Sequence, residues 1–141
     1  MKIVRDVLSL ALVASGLVGT QILLSDKWLW SAAPSHAFGL IGFVLIDLIL
    51  VVATLRRIGL AALGAAMLAT VQFGAMLSDL IAGQPEGVPS VAFRNYLLSD
   101  TAYLGLLFIQ IAIVIVAASA LATSLFHGHG RLSAFLHFQR D

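Results

Sequence analysis

The chain is written as four long apolar runs separated by short polar interruptions. The runs cover 7–24, 36–55, 58–82 and 102–126, and nearly every charged residue lies between or beyond them. At about 1.5 Å of rise per residue, each has the length of a helix that crosses a hydrocarbon core of about 30 Å. A span in lipid must pair its own backbone groups, so a helix is the solution open to a single run. The pattern predicts an all-α integral membrane protein, with residues 1–141 forming one domain of four transmembrane helices.

The interruptions carry their own signals. Arg56-Arg57 is so short that the second and third spans must be antiparallel neighbours. Pro34-Ser35 suits a helix start, and Ser99-Asp100-Thr101 offers capping oxygens to the fourth span. In the third loop an irregular stretch at 83–89 precedes Val91, Phe93, Leu97 and Leu98, which are interleaved with Arg94 and Asn95. That spacing predicts a short interfacial helix. In the C-terminal tail Leu132, Phe135, Leu136 and Phe138 beside Arg131 and Arg140 predict a second one.

Lys and Arg are distributed unequally among these segments. Lys2, Arg5, Arg56, Arg57, Arg131 and Arg140 fall on one side of the alternating topology, and Lys27 and Arg94 on the other. The positive-inside rule then predicts both termini in the cytoplasm. Trp28, Trp30, Tyr96 and Tyr103 flank the outer loops, where amphipathic rings prefer the headgroup region. Lys2 and Arg5 before the first run, with Ser31-Ala32-Ala33 after it, have the outline of a cleaved signal. The run is longer than a signal core and the small residues lie well past its end, so the expectation is a retained span.

Composition agrees with the pattern and narrows the chemistry. Hydrophobic residues make up 60% and charged residues 11%, a balance outside the range of soluble domains. A net charge of +1 gives no basic surface for nucleic acid. The chain has no cysteine, which removes disulfides, thiolate metal sites and thiol nucleophiles.

Few polar side chains remain inside the spans. Asp47 is the one formal charge deep within a run, and a central aspartate costs roughly 2.5 to 3.5 kcal/mol to insert, so it needs a proton or a partner. His36 lies about 16 Å before it on the same helix face, too far for a direct pair, and at the outer rim is a candidate partner for Asp79 or Asp100. Gln21, Gln72 and Gln110 fall in the outer halves of their spans, and Tyr103 shares a face with Gln110. These are candidates for interhelical hydrogen bonds or for a quinone headgroup.

Small residues mark the faces along which the helices can approach. Ala62, Ala66, Thr70, Gly74 and Ser78 put one at every fourth position of the third span, a helix-packing stripe, with Gln72, Met76 and Asp79 opposite. Ser15, Gly16, Gly19 and Thr20 repeat the theme in the first span, and Ala118, Ser119, Ala122 and Thr123 in the fourth. His127, His129 and His137 have no metal-site spacing, so no metal site and no intrinsic cofactor are expected, although a bound lipid or quinone is compatible with the polar set.

The expectation is a non-catalytic accessory subunit of a multi-subunit membrane enzyme in a prokaryotic-type plasma membrane, such as a respiratory terminal oxidase or a membrane monooxygenase. Its partners would be the lipid bilayer and other integral membrane subunits, and not nucleic acid. Two alternatives stand beside it: a small proton-coupled transporter using Asp47, and a small quinone-binding redox protein using Gln72, Gln110, Tyr103 and His36.

Overall fold

The computed structural model describes the backbone of residues 2–138 apart from 57, 84 and 86, and the side chains among them as far as residue 123. The described residues form six helices: α1 (Lys2–Ser25), α2 (Lys27–Ala32), α3 (Pro34–Arg56), α4 (Ile58–Ala82), α5 (Ser90–Ser99) and α6 (Thr101–Phe138). Among them, four are long and apolar enough to cross a membrane: α1, α3, α4 and the Thr101–Thr123 part of α6. The backbone of α6 continues past the expected end of the fourth span to Phe138. The apolar face expected in the tail, with His127, His129 and His137, lies outside the described side chains.

Helix boundaries follow local chemistry. Asp26 caps α2 by accepting the Leu29 N–H at 2.9 Å, and Pro34 opens α3 at a position where a missing N–H costs nothing. Asp100 ends α5 and caps α6, its Oδ1 taking the Ala102 N–H at 2.8 Å. The hydroxyl of Ser99, another of the three expected caps, donates back to the Tyr96 carbonyl. Gly87, with φ at 78°, makes the turn before α5 in a conformation that favours glycine.

The four long helices pack as a ring in the order α1, α3, α4, α6, and the α1–α4 diagonal is the lightest contact. Two cores fill it. Toward the Arg56 end, Leu8, Leu12 and Ile113 pack with Ala62, Ala65, Ala69, Ala117 and Ala120. At the other end Ile22, Met76 and Leu106 pack with Leu29 of α2 and with Phe93 and Leu97 of α5. α5 therefore forms where expected but turns Phe93 and Leu97 inward, leaving Val91 and Leu98 exposed. The pattern of apolar runs does not predict α2, which is too short to register in it. Large apolar side chains such as Leu17, Ile49, Leu60 and Phe108 point outward, compatible with a lipid environment.

The small-residue stripe of α4 divides. Ala62 is buried and Ala66 partly so, whereas Thr70, Gly74 and Ser78 are exposed. The inward line is instead Ala61, Ala62, Ala65, Ala69, Gln72 and Met76. On α6 the packed small residues are Ala117 and Ala120, and Ala118, Ser119 and Ala122 face out. Apolar residues occupy every face of these helices, so periodicity alone could not fix their rotation.

Close approach is sharpest between α1 and α3. A Cβ on Gly19 would stand 2.7 Å from Val44 Cγ2, whereas one on Gly16 would meet nothing within 4 Å. Gly19→Val is expected to lower stability by about 1 to 3 kcal/mol through overpacking, and Gly16→Ala to leave it nearly unchanged. Thermal unfolding in mild detergent, compared with the parent protein, checks both.

Candidate functional site

Polar side chains inside the bundle are sorted into three levels along its axis. Nearest the Arg56 end, Ser9 Oγ and Thr54 Oγ1 lie 2.7 Å apart and tie α1 to α3, and the Thr54 hydroxyl also lies 2.7 Å from the Val51 carbonyl. At mid-height Asp47 is only 2% exposed, and its Oδ2 accepts the Ser15 hydroxyl at 2.6 Å. The Ser15 oxygen in turn accepts Gln110 Nε2 at 2.8 Å. One hydroxyl thus connects three helices, α1, α3 and α6, as donor to one side chain and acceptor from another. Gln110 is fully buried, and its Oε1 has no hydrogen-bond partner among the described residues.

The third level is a cavity of about 410 Å³ at the α2/α5 end. α3 contributes His36, Leu40 and Phe43 to its wall, α4 contributes Gln72, Met76 and Asp79, and α6 contributes Tyr103 and Leu106. His36 Nε2 lies 3.1 Å from Asp79 Oδ1, so the histidine at the rim pairs with one of the two aspartates considered for it. The other, Asp100, also lines the cavity but spends Oδ1 on the α6 cap. Tyr103 donates its hydroxyl to the Met76 carbonyl at 2.6 Å, which joins α6 to α4 beneath the rim. Gln72 also lines the cavity and is 2% exposed, and its Oε1, itself shut off from accessible space, has no hydrogen-bond partner among the described residues.

Aromatic rings close this end of the bundle. Trp28 of α2 packs against Tyr96 of α5 with centroids 4.0 Å apart and against Phe93 at 5.9 Å, and Phe93 meets the His36 ring edge-on at 5.6 Å. A Cβ on Gly83 would come within 2.8 Å of Phe93, so the missing side chain lets α5 settle against the end of α4. Trp30 turns away and donates its indole N–H to the Leu23 carbonyl at 2.7 Å.

The candidate polar residues therefore separate into two groups, and Gln110 parts from the Gln72, Tyr103 and His36 set expected around a quinone headgroup. His36, Asp79, Gln72, Tyr103 and Asp100 meet at the cavity, while Asp47 and Gln110 belong to the Ser15 chain and do not line it. Gln21 is exposed on α1 and joins neither. The sequence singles out neither Ser15 as the partner of Asp47 nor the aromatic cover supplied by α2. The Asp26 carboxylate three residues before Leu29 is a legible cap for that short helix. The described residues contain no group of three or more His, Asp or Glu side chains placed to hold a metal ion. No protein-family model, curated protein or solved structure matches this chain.

Ser15→Ala removes both hydrogen bonds at the middle level and leaves Asp47 and Gln110 unpaired in the interior. The expected loss is about 1 to 3 kcal/mol. Gln110→Met in the same background is expected to add less than it costs alone, because its partner is already gone, with a coupling of about 0.5 kcal/mol or more. Unfolding of the two single variants and the double variant in one detergent measures that coupling.

Proposed function

We propose that the protein is a small membrane-embedded subunit that holds the headgroup of a lipid-soluble, quinone-type molecule in the cavity between α3, α4 and α6. The observation that carries this reading is the cavity itself: about 410 Å³, apolar along Leu40, Phe43, Met76 and Leu106, with His36, Asp79, Gln72 and Tyr103 at defined points on its wall. A concave, mostly apolar site of a few hundred Å³ with a few convergent polar groups is the usual form of a small-molecule pocket. Its lining includes Asp26, Asp79 and Asp100 and, among the described residues, no Lys or Arg. Such a wall disfavours the phosphate of a lipid headgroup and suits an uncharged ring. Asp47 is engaged elsewhere, which favours this reading over transport coupled to that carboxylate.

Service as an accessory subunit of a larger membrane oxidoreductase is the second part of the proposal. Thr70 and Gly74 support it, because small residues exposed on a spanning helix away from the cavity allow another helix to approach closely. With both termini in the cytoplasm, as the Lys and Arg distribution favours, the cavity would face the outer leaflet of the plasma membrane.

Equilibrium binding of a short-chain quinone to the protein in lipid nanodiscs tests the proposal. Saturable binding is expected, and Ala75→Trp, which places an indole at the cavity wall, is expected to weaken it at least 10-fold. Val71→Trp, at an exposed position one turn below Ala75 that does not line the cavity, is expected to bind like the parent. Failure of the parent protein to bind would overturn the reading.

A further inference from the structure

At the opposite end of the bundle from the cavity, apolar surface meets a lone positive charge. A second recess, of about 710 Å³, lies between the outward sides of α3 and α4 near the Arg56 end. Leu48, Ile49 and Val52 of α3 and Leu60 of α4 are exposed along it, and the short side chains of Ala53 and Ala61 leave the room between them. Arg56, the last residue of α3, is the one charged residue in its wall. From Leu48 to Arg56 the helix rises about 12 Å, so the groove runs from the apolar flank of a span to its charged end. Arg56 is exposed, and among the described residues its guanidinium has no acidic partner. The ion pairs among those residues join Arg5 to Asp6 and His36 to Asp79, and Asp47 is buried against Ser15. Arg57 follows directly in the sequence and adds a second cation to the same short connection.

We propose that this groove binds an anionic phospholipid, with an acyl chain along Leu48, Val52 and Leu60 and the phosphate on the Arg56 guanidinium. The apolar wall calls for an apolar occupant, and around a spanning helix the bilayer supplies chains. Arg56 then chooses among lipids by charge. A guanidinium offers two parallel N–H groups to a phosphate, a strong and directional pairing. A zwitterionic headgroup carries its own cation, which Arg56 repels, whereas an anionic headgroup leaves the phosphate to the arginine alone. The cavity at the other end, whose lining includes Asp26, Asp79 and Asp100, is unsuited to the same headgroup, so the two recesses take different guests. On the topology proposed above the groove faces the cytoplasmic leaflet, the side on which anionic lipids attract clustered Lys and Arg. The assignment does not depend on the quinone-type reading.

The test places the full chain in nanodiscs holding phosphatidylglycerol and phosphatidylcholine of the same acyl chains in equal amounts. Native mass spectrometry then counts the lipids that stay with the released protein. The parent is expected to retain phosphatidylglycerol over phosphatidylcholine by about 5-fold or more. Arg56→Gln is expected to bring that ratio below about 2-fold. Lys2→Gln removes an equal charge from the same end of the bundle, outside the groove, and is expected to leave the ratio unchanged. Val52→Trp keeps the charge but fills the apolar wall, and is expected to lower phosphatidylglycerol retention as Arg56→Gln does. All three positions are exposed, so the variants are expected to fold. No preference in the parent overturns the proposal. Equal losses in Arg56→Gln and Lys2→Gln also overturn it, because they would mark a diffuse surface charge rather than a site. Unchanged retention in Val52→Trp overturns the part given to the groove. A second copy of the chain retained in place of lipid, and lost in Val52→Trp, would assign this face to a chain–chain contact and overturn the proposal as well.

Discussion

The hydroxyl of Ser15 is the point on which the interior depends. Asp47 and Gln110 arrive at the bundle centre from α3 and α6, and neither has water to turn to if the helices sit in lipid. Ser15 satisfies both at once because a hydroxyl can donate and accept at the same time. Helices in a bilayer gain little from hiding apolar surface, since lipid tails are as apolar as leucine, so polar links and close packing must specify how they dock. The Ser15 chain fixes the rotation of three helices together. Ser9 with Thr54 and Tyr103 with Met76 extend the same principle toward the two ends.

Between these links the helices are held by close approach. The face of α4 that meets its neighbours is built of alanines and is matched by Ala117 and Ala120 on α6. Gly19 brings α1 within reach of Val44, and Gly64 does the same for α4 and Leu50. These contacts bury little area per residue but place many atoms at van der Waals distance. At the α2/α5 end larger side chains take over, and the packing leaves a cavity.

Four helices long and apolar enough to span, their approximate ends, the tight α3–α4 connection and the short helix within the third loop were legible in the sequence, because length and hydropathy suffice to specify them. Helix rotation was much less so. Small residues recur on more than one face of α4 and α6, so the outward Thr70, Gly74 and Ser119 carry much the same local signal as the buried alanines. The candidate site was half legible. His36 with Asp79, Gln72 and Tyr103 could be proposed as neighbours from their depth. Assigning Asp47 to Ser15 required the packing of α1 against α3, which no local pattern encodes.

The two cores also differ in how freely their residues could change over evolutionary time. Where alanines of α4 meet alanines of α6, an added methyl group has nowhere to go, and that end of the bundle behaves as a fixed frame. At the α2/α5 end Phe93 is also fixed, seated on Gly83, but Tyr96 and the cavity-facing residues of α3 and α4 border open space. Side chains of that kind can be exchanged for others of different size without moving the long helices, so one scaffold could be refitted to new guests by changes confined to the wall of the cavity.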